Sequence, residues 1–361
     1  MKIIDRYFIR ELVPPLGLGL SAFTFVLLMG KILRLMEIIV ANRIPVKAVG
    51  LIVLYLLPSL FIFVIPMSFL FAILILFGRL SADNEIMALR AAGISLYRIM
   101  APVFVTSVFL FAATLCISCY ITPRGNAALQ NLILEATWKH ATLGLTEKTF
   151  NDTVEDMVIY ADEISGSLLR RVMISDQRKK GEMVTVFAGS GEIIANNRLL
   201  KLILRLKNGT IHRSNPMNAR EYQRLNFSTY DILLPGGDYP ESRRDFRVMS
   251  IQELWKEIEK QKKAGRQPYR LMIEWHQKFS IPFACIVFAM IACPLGIQNR
   301  KGNRLSGFGL SLIIILGYYA FLGFGKTMAY GGWLPVWLSM WMPNILLWLT
   351  GMYYFKKLER W

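Results

Sequence analysis

Hydrophobic and polar positions along the chain fall into two regimes. Six stretches carry no Asp, Glu, Lys or Arg: residues 12–30, 48–78, 99–123, 279–299, 305–325 and 327–355. A hydrocarbon core about 30 Å thick needs roughly 20 helical residues to cross it, so each stretch is about long enough to span. None shows the two-residue alternation of a barrel strand. Helices follow because lipid offers no partner to a free backbone N–H or C=O. The first stretch has no small-residue cleavage site and is followed by Lys31 and Arg34, so it reads as a span and not as a secretory signal peptide. Prolines inside the runs, such as Pro58, Pro66, Pro282 and Pro343, read as kinks that neighbouring helices absorb.

Between about residues 140 and 247 the pattern changes to short β-prone segments. These are Met157–Tyr160, Val172–Ile174, Met183–Phe187, Leu199–Leu206 and the partly alternating Glu221–Leu234. Turn-forming pairs separate them: Lys180-Gly181, Asn196-Asn197, Asn208-Gly209 and Pro235-Gly-Gly237. That spacing predicts a sandwich or jelly roll. After it, Ser250-Ile-Gln-Glu253 forms a capping box, with Met249 and Leu254 placed to staple it. A charged connector helix runs to Ala264 and stops at Gly265, with Pro268 beyond. The expected fold is an α-helical membrane protein of six transmembrane helices with an inserted periplasmic, jelly-roll-like β domain. Its parts are an N-terminal membrane half (1–123), the β domain (124–250), the connector (251–267) and a C-terminal membrane half (268–361).

Composition sharpens this picture. The chain is 54% apolar and 19% charged, with a formal charge of +17. Lys and Arg in short loops orient a membrane protein. The face bearing the termini holds Lys2, Arg6, Arg10, Arg79, Arg90, Arg98, Arg300, Lys301, Arg304, Lys356, Lys357 and Arg360. The opposite short loops carry Arg43 and Lys47, with Lys326 near the end of the fifth span. Both termini are therefore expected in the cytoplasm and the β domain outside. Residues 123–250 hold 18 basic and 15 acidic residues, so most of the positive charge belongs to the membrane part. It needs no nucleic acid to explain it, and no reading motif is present.

Candidate chemistry is sparse. Cys116 and Cys119 have CxxC spacing but no accompanying His or second pair, so they read as packing residues, as do Cys285 and Cys293. His140 and His212 are isolated, and Gly189-Ser-Gly191 is not a nucleophile elbow. Gly323-Phe-Gly-Lys-Thr327 imitates the end of a phosphate-binding loop, but Ala320 stands where its first glycine is needed. No metal, cofactor or nucleotide site is expected, and ATP would be bound by another chain. With no charge inside the runs, an intramembrane enzyme is disfavoured against a transporter subunit, and a receptor or scaffold with a sensing β domain is the remaining alternative.

Two positive features remain. Residues 81–93 predict a short amphipathic helix, with Ser81 as cap, Asp83 and Glu85 in the first turn, Ile86 and Leu89 as an apolar stripe, Arg90 near the end and Gly93 at the C′ position. Two early acids argue against a purely lipid-facing role and favour docking in a groove of a cytoplasmic partner. Lys31 and Arg34, with Glu37, sit at the outer end of the first span, and Lys326 near the outer end of the fifth. Spacing leaves two readings of these cations even: snorkelling, or an outer-leaflet site for an anionic headgroup.

The whole arrangement resembles the LptF/LptG (YjgP/YjgQ) permease family of the lipopolysaccharide-export ABC transporter. The resemblance rests on Asp5-Arg6-Tyr7 with Arg10-Glu11, on the three-plus-three spans around a β domain, and above all on Asp83-Asn-Glu-Ile-Met-Ala-Leu-Arg-Ala-Ala-Gly-Ile-Ser95. That stretch is similar to the family's coupling helix, with Asn84 where Ser is usual and Glu85 keeping the acid. Lys31-x-x-Arg34 is similar to the LptF branch. The resemblance implies a heterodimer with a second, LptG-like permease over an LptB-like ATPase dimer. It also implies lipopolysaccharide entry between helices one and five, and delivery along the β domain to LptC-like and LptA-like bridge proteins. Asp83, Glu85, Ile86, Leu89, Arg90 and Gly93 would then engage the ATPase, and Lys31, Arg34 and Lys326 the lipid headgroup.

Overall fold

The structure is a computed structural model that describes residues 3–41, 46–143, 147–154, 157–165, 167–176, 183–196, 201–214, 222–234, 246, 249–298 and 304–359. It divides into two compact units. One holds residues 1–37, 50–128 and 245–361, and the other holds 38–49 and 129–244.

The first unit is helical. The helices of the chain are α1 (Ile3–Ala41), α2 (Val46–Ala82), the short α3 (Glu85–Ala91), α4 (Leu96–Cys116), a π-helical turn (Ile117–Ile121) that runs into α5 (Thr122–Leu143), α6 (Ile251–Lys263), α7 (Tyr269–Gln298), α8 (Arg304–Tyr330) and α9 (Val336–Glu359), of which residues 38–41 of α1, 46–49 of α2 and 129–143 of α5 fall in the second unit. Among the described residues, five helical segments are long and apolar enough to cross a membrane: Ile3–Leu33, Val49–Ala82, Leu96–Leu132, Tyr269–Gln298 and Gly307–Tyr330. The sixth expected span, α9, is long enough at 24 residues, or about 36 Å. It carries Trp337, Trp341, Asn344, Tyr353 and Tyr354, whose polar atoms lower its mean hydropathy.

α2 and α7 form the centre. In their most apolar stretches 72% and 83% of residues are buried, against 11% in α1. Their contact residues include Phe69, Phe77, Ala284, Phe288 and Ala292. Small residues let helices approach where lipid supplies no hydrophobic drive. A Cβ on Gly325 of α8 would lie 2.4 Å from the Ser339 carbonyl oxygen of α9, and one on Gly351 of α9 would lie 3.0 Å from the Ile291 amide of α7. Gly323–Thr327 is thus ordinary helix, and Gly325 is a packing residue. Polar groups bind α7 to α9 as well. Ser280 Oγ donates to the Met340 carbonyl at 2.6 Å, and Asn344 Nδ2 donates to the Ser280 carbonyl at 2.9 Å. In lipid an unpaired polar group is costly, so this buried set fixes the register of two helices.

The capping box that begins α6 is present. Ser250 N–H donates to Glu253 Oε2 at 2.8 Å, and Glu253 N–H returns to Ser250 Oγ at 3.3 Å. Met249 packs in the same small cluster as Leu254, as a staple should. Three helices end in Schellman motifs, at Gly93, Gly265 and Gly332, each with positive φ. At the first, Gly93 N–H donates to Arg90 O and Ile94 N–H to Leu89 O, at 2.9 and 3.1 Å.

The second unit carries a six-stranded antiparallel sheet in sequence order: β1 (Phe150–Val154), β2 (Met157–Ser165), β3 (Leu168–Asp176), β4 (Met183–Asn196), β5 (Lys201–Ser214) and β6 (Tyr222–Leu234). The expected β insert is therefore present, built as a meander. The expected turn at Asn208-Gly209 is instead inside β5. Asn208 has φ 52°, and so does its counterpart two strands away, Arg171, nearly, at 50°. These left-handed residues sit on one row that crosses the sheet. Inward positions run 157, 159, 161 and then 164 in β2; 169 and then 172 and 174 in β3; 186, 188 and then 191 and 193 in β4; and 204, 206 and then 209 and 211 in β5. Each strand from β2 to β6 inserts one extra outward residue at the same register, through the pairs Glu163–Arg170, Arg170–Ser190, Ser190–Lys207 and Lys207–Thr229. The alternation shifts by one, and the apolar side chains on both sides of the row share one core that includes Ile159, Leu169, Ile174, Val186, Ile193 and Leu204. Simple period-two reading fails across that row. The outward face carries ion pairs. Nε and Nη2 of Arg205 donate to the two carboxylate oxygens of Asp231 at 2.9 Å each and hold it below its ordinary range.

The turns expected at Lys180-Gly181 and Pro235-Gly237, and the cations Lys2, Arg43, Arg300, Lys301 and Arg360, lie outside the described residues.

Candidate functional site

Helix α3 lies at the end of the bundle where α1 begins, α2 and α7 finish, α4 starts and α9 ends. Contacts define that end. Ser81 Oγ donates to the Ile297 carbonyl at 2.7 Å, and the Tyr97 and Phe355 rings lie 4.9 Å apart. Ser81 is therefore not the cap of α3. Its hydroxyl is drawn to a buried carbonyl of α7, and α3 starts at Glu85 after Asn84 in the left-handed region.

The apolar stripe faces inward. Ile86 is 3% exposed and belongs to the bundle core, and Leu89 packs against that core. Asp83, Met87 and Arg90 are exposed, and so is Gly93 after the helix. Glu85 lies between these faces. It is half-buried, and its Oε2 accepts a 2.8 Å hydrogen bond from the Tyr7 hydroxyl of α1. Two ion pairs flank it. Arg79 Nη1 of α2 lies 2.7 Å from Glu11 Oε2, and Arg98 Nη2 of α4 lies 2.7 and 2.8 Å from the two carboxylate oxygens of Asp5. The first turns of α1 thus touch α2, α3 and α4 at once.

The cations expected at the other end lie on α1 and α8. Lys31 Nζ donates to Ser59 Oγ at 2.7 Å, tying α1 to α2. Lys326 is half-buried on α8, and the side chain of Arg34 lies outside the described residues.

Two residues escaped sequence reasoning. In the sequence Tyr7 enters only within Asp5-Arg6-Tyr7, and nothing nearby marks a partner 78 residues away. Lys278 sits one residue before the fourth charge-free run, yet it is 8% exposed. Its Nζ is 3.4 Å from the Ser118 carbonyl, inside the π-helical turn. A π turn breaks the regular ladder and leaves a carbonyl able to receive such a cation. Among the described residues no group of His, Cys, Asp and Glu is arranged to hold a metal.

Comparison with known proteins accords with this architecture. Residues 6–357 match the family described as lipopolysaccharide export system permease LptF/LptG. The chain is 20% identical to the lipopolysaccharide export system permease protein LptF of Escherichia coli K12, over 95% of this chain and 92% of that one. It is equally similar to LptF of Shigella flexneri. An uncharacterized protein of Rickettsia prowazekii is 23% identical over 56% of this chain and 57% of its own length. A match across nearly the whole sequence, on a bundle of membrane-length helices with an inserted antiparallel sheet, places this multi-pass membrane protein in the LptF/LptG family of lipopolysaccharide export permeases.

Proposed function

We propose that the chain is the LptF-type permease of an inner-membrane lipopolysaccharide exporter, driven by a separate cytoplasmic ATPase. The observation that carries this reading is the family match over residues 6–357. A permease component is not itself an enzyme. It moves its cargo by changing shape, and a partner's ATP hydrolysis biases that change. The basic residues at the end of the bundle that holds α3 favour a cytoplasmic placement, since exposed Arg6 and Arg10 of α1 join Arg79, Arg90 and Arg98 there. The β insert would then be periplasmic and would lead to LptC-like and LptA-like bridge proteins, with an LptG-like second permease alongside.

In this reading the ATPase meets the outward face of α3. Asp83, Met87 and Arg90 supply that surface, Glu85 its margin, and Gly93 the turn that ends it. Ile86 and Leu89 seat the helix on its own bundle, so force applied to α3 reaches α2 and α4 through packed side chains. Affinity purification from membranes tests the assembly. An ATPase and a second permease should accompany the chain, and recovery of the chain alone would refute the proposal.

At the outer end, Lys31, Arg34 and Lys326 are proposed to meet the phosphorylated lipid headgroup. Lys supplies a compact charge and Arg a bidentate fork. Lys31→Glu with Arg34→Glu should cut photo-crosslinking to lipopolysaccharide by about fivefold or more, since two attractive contacts become repulsive. Labelling equal to the unmodified chain would remove these residues from the site.

A further inference from the structure

The first three turns of α1 are built as a clamp. At 100° per residue, Tyr7, Glu11, Phe8, Leu12 and Asp5 fall in that order across one face about 160° wide. Phe8 and Leu12 occupy the middle and are 1% and 2% exposed. Phe8 rests on Phe77 of α2, with ring centroids 5.9 Å apart. The polar groups on the flanks reach out to α2, α3 and α4, as described above. Arg6 and Arg10 lie on the opposite, exposed face.

Beyond the clamp, α1 changes character. Pro14 and Pro15 remove two successive backbone donors from the helical ladder, which makes this the natural place for it to bend. Past them much of the helix is exposed: Leu18 61%, Phe25 69%, Val26 63%, Met29 49% and Leu33 60%. α1 is thus held hard at one end, weakened at a proline pair, and one-sided beyond, where Phe23 and Lys31 still meet Phe71 and Ser59 of α2. Of the three polar ties, only Tyr7–Glu85 reaches α3.

We propose that Tyr7 is a positioning residue that fastens the Glu85 carboxylate of α3 to α1, so that displacement of α3 is carried into α1 and bends it at Pro14-Pro15. This rests on reading α3 as the helix that meets the ATPase. Glu85 then has two duties. It borders the docking surface, and it passes motion inward through one 2.8 Å hydrogen bond. A hydrogen bond to a carboxylate is stronger than one between neutral groups, and Tyr7→Phe deletes it while leaving the ring in place.

The test uses the complete transporter in proteoliposomes, with Tyr7→Phe, Glu85→Ala and the double variant. Lipopolysaccharide released per ATP hydrolysed is measured with each, along with retention of the ATPase. Tyr7→Phe is expected to keep its ATPase bound and to lower release per ATP by about tenfold. In the Glu85→Ala background the same change should add nothing, because its acceptor is already gone. A merely structural role for Tyr7 would give independent, multiplicative losses, and that result overturns the proposal. Wild-type release by Tyr7→Phe beside impaired Glu85→Ala also overturns it, while leaving the docking role of α3 standing. If Glu85→Ala itself retains its ATPase and transports normally, the reading of α3 fails first, and this proposal with it.

Discussion

A Gly209→Val chain should lose the fold of its β insert while its helical bundle stays intact. Even a Cβ at this position would lie 2.2 Å from the Phe187 carbonyl oxygen, 2.5 Å from the Phe227 ring and 3.0 Å from the Ala188 Cα. The first and last of these are backbone atoms of the paired strand, which cannot give way without parting β4 from β5. The adjoining row is where the alternation shifts, so the sheet has no slack there. A branched side chain should therefore cost ~3 kcal/mol or more, a large share of what a small domain has. Limited proteolysis should cut within residues 147–234 in the variant and leave the membrane helices protected. Gly189→Ala is the matched control on the neighbouring strand. Its Cβ would meet nothing closer than 3.6 Å, so its cleavage pattern should be that of the parent chain. Equal resistance of Gly209→Val would show that the sheet has room the structure does not give it.

Glu85→Ala should reduce lipopolysaccharide export more than tenfold and weaken retention of the ATPase, with the protein still present in the membrane. Two effects combine at this one carboxylate. Its charge borders the exposed face of α3, and its Oε2 takes the Tyr7 hydroxyl. Removing it leaves a half-buried hydroxyl without its acceptor, at about 1–3 kcal/mol, and takes a charge from the docking margin. Glu85→Gln should fall between, because an amide oxygen still accepts from Tyr7 while the charge is gone. Asp83→Ala, at an exposed position before the helix, should weaken only docking. Membrane preparations assayed for ATP hydrolysis and ATPase co-purification separate these variants. Unchanged values for Glu85→Ala in both assays would take the engine contact away from this helix.

Much of the fold was legible from residue order because its causes are local. A charge-free run of sufficient length has few ways to satisfy its backbone in lipid, so α1, α2, α4, α7 and α8 follow from composition along the chain. The same holds for Ser250 with Glu253 and for Gly93 and Gly265, where both partners in the motif lie within one or two turns. α9 follows from the run 327–355 in the same way, but its packing does not. Its aromatic and amide groups dilute its apolarity, and what holds it is Asn344 on Ser280 and Gly351 against α7, neither of which leaves a periodic trace.

Errors arose where a local motif competed with a distant partner. Ser81 has the right spacing to cap α3, but its hydroxyl found the Ile297 carbonyl 216 residues away. Asn208-Gly209 is a good hairpin pair, but β5 runs through it because the whole sheet shifts its alternation at that row. The amphipathic stripe of α3 was legible, but not which side it faces. Ile86 turns into the bundle, and Asp83 and Arg90 stay exposed.

By itself, then, the sequence determined the helices, their charge asymmetry, the β insert between them and the motif around Glu85, since each depends on neighbours in the chain and on the solvent each residue can tolerate. Only the tertiary structure decided what those residues hold. It brought Tyr7 to Glu85 and Asp5 to Arg98, and it set Lys278 against a π-helical carbonyl. These are pairings between groups brought close by packed helices, and their energy depends on distances of about 3 Å that no spacing along the chain encodes.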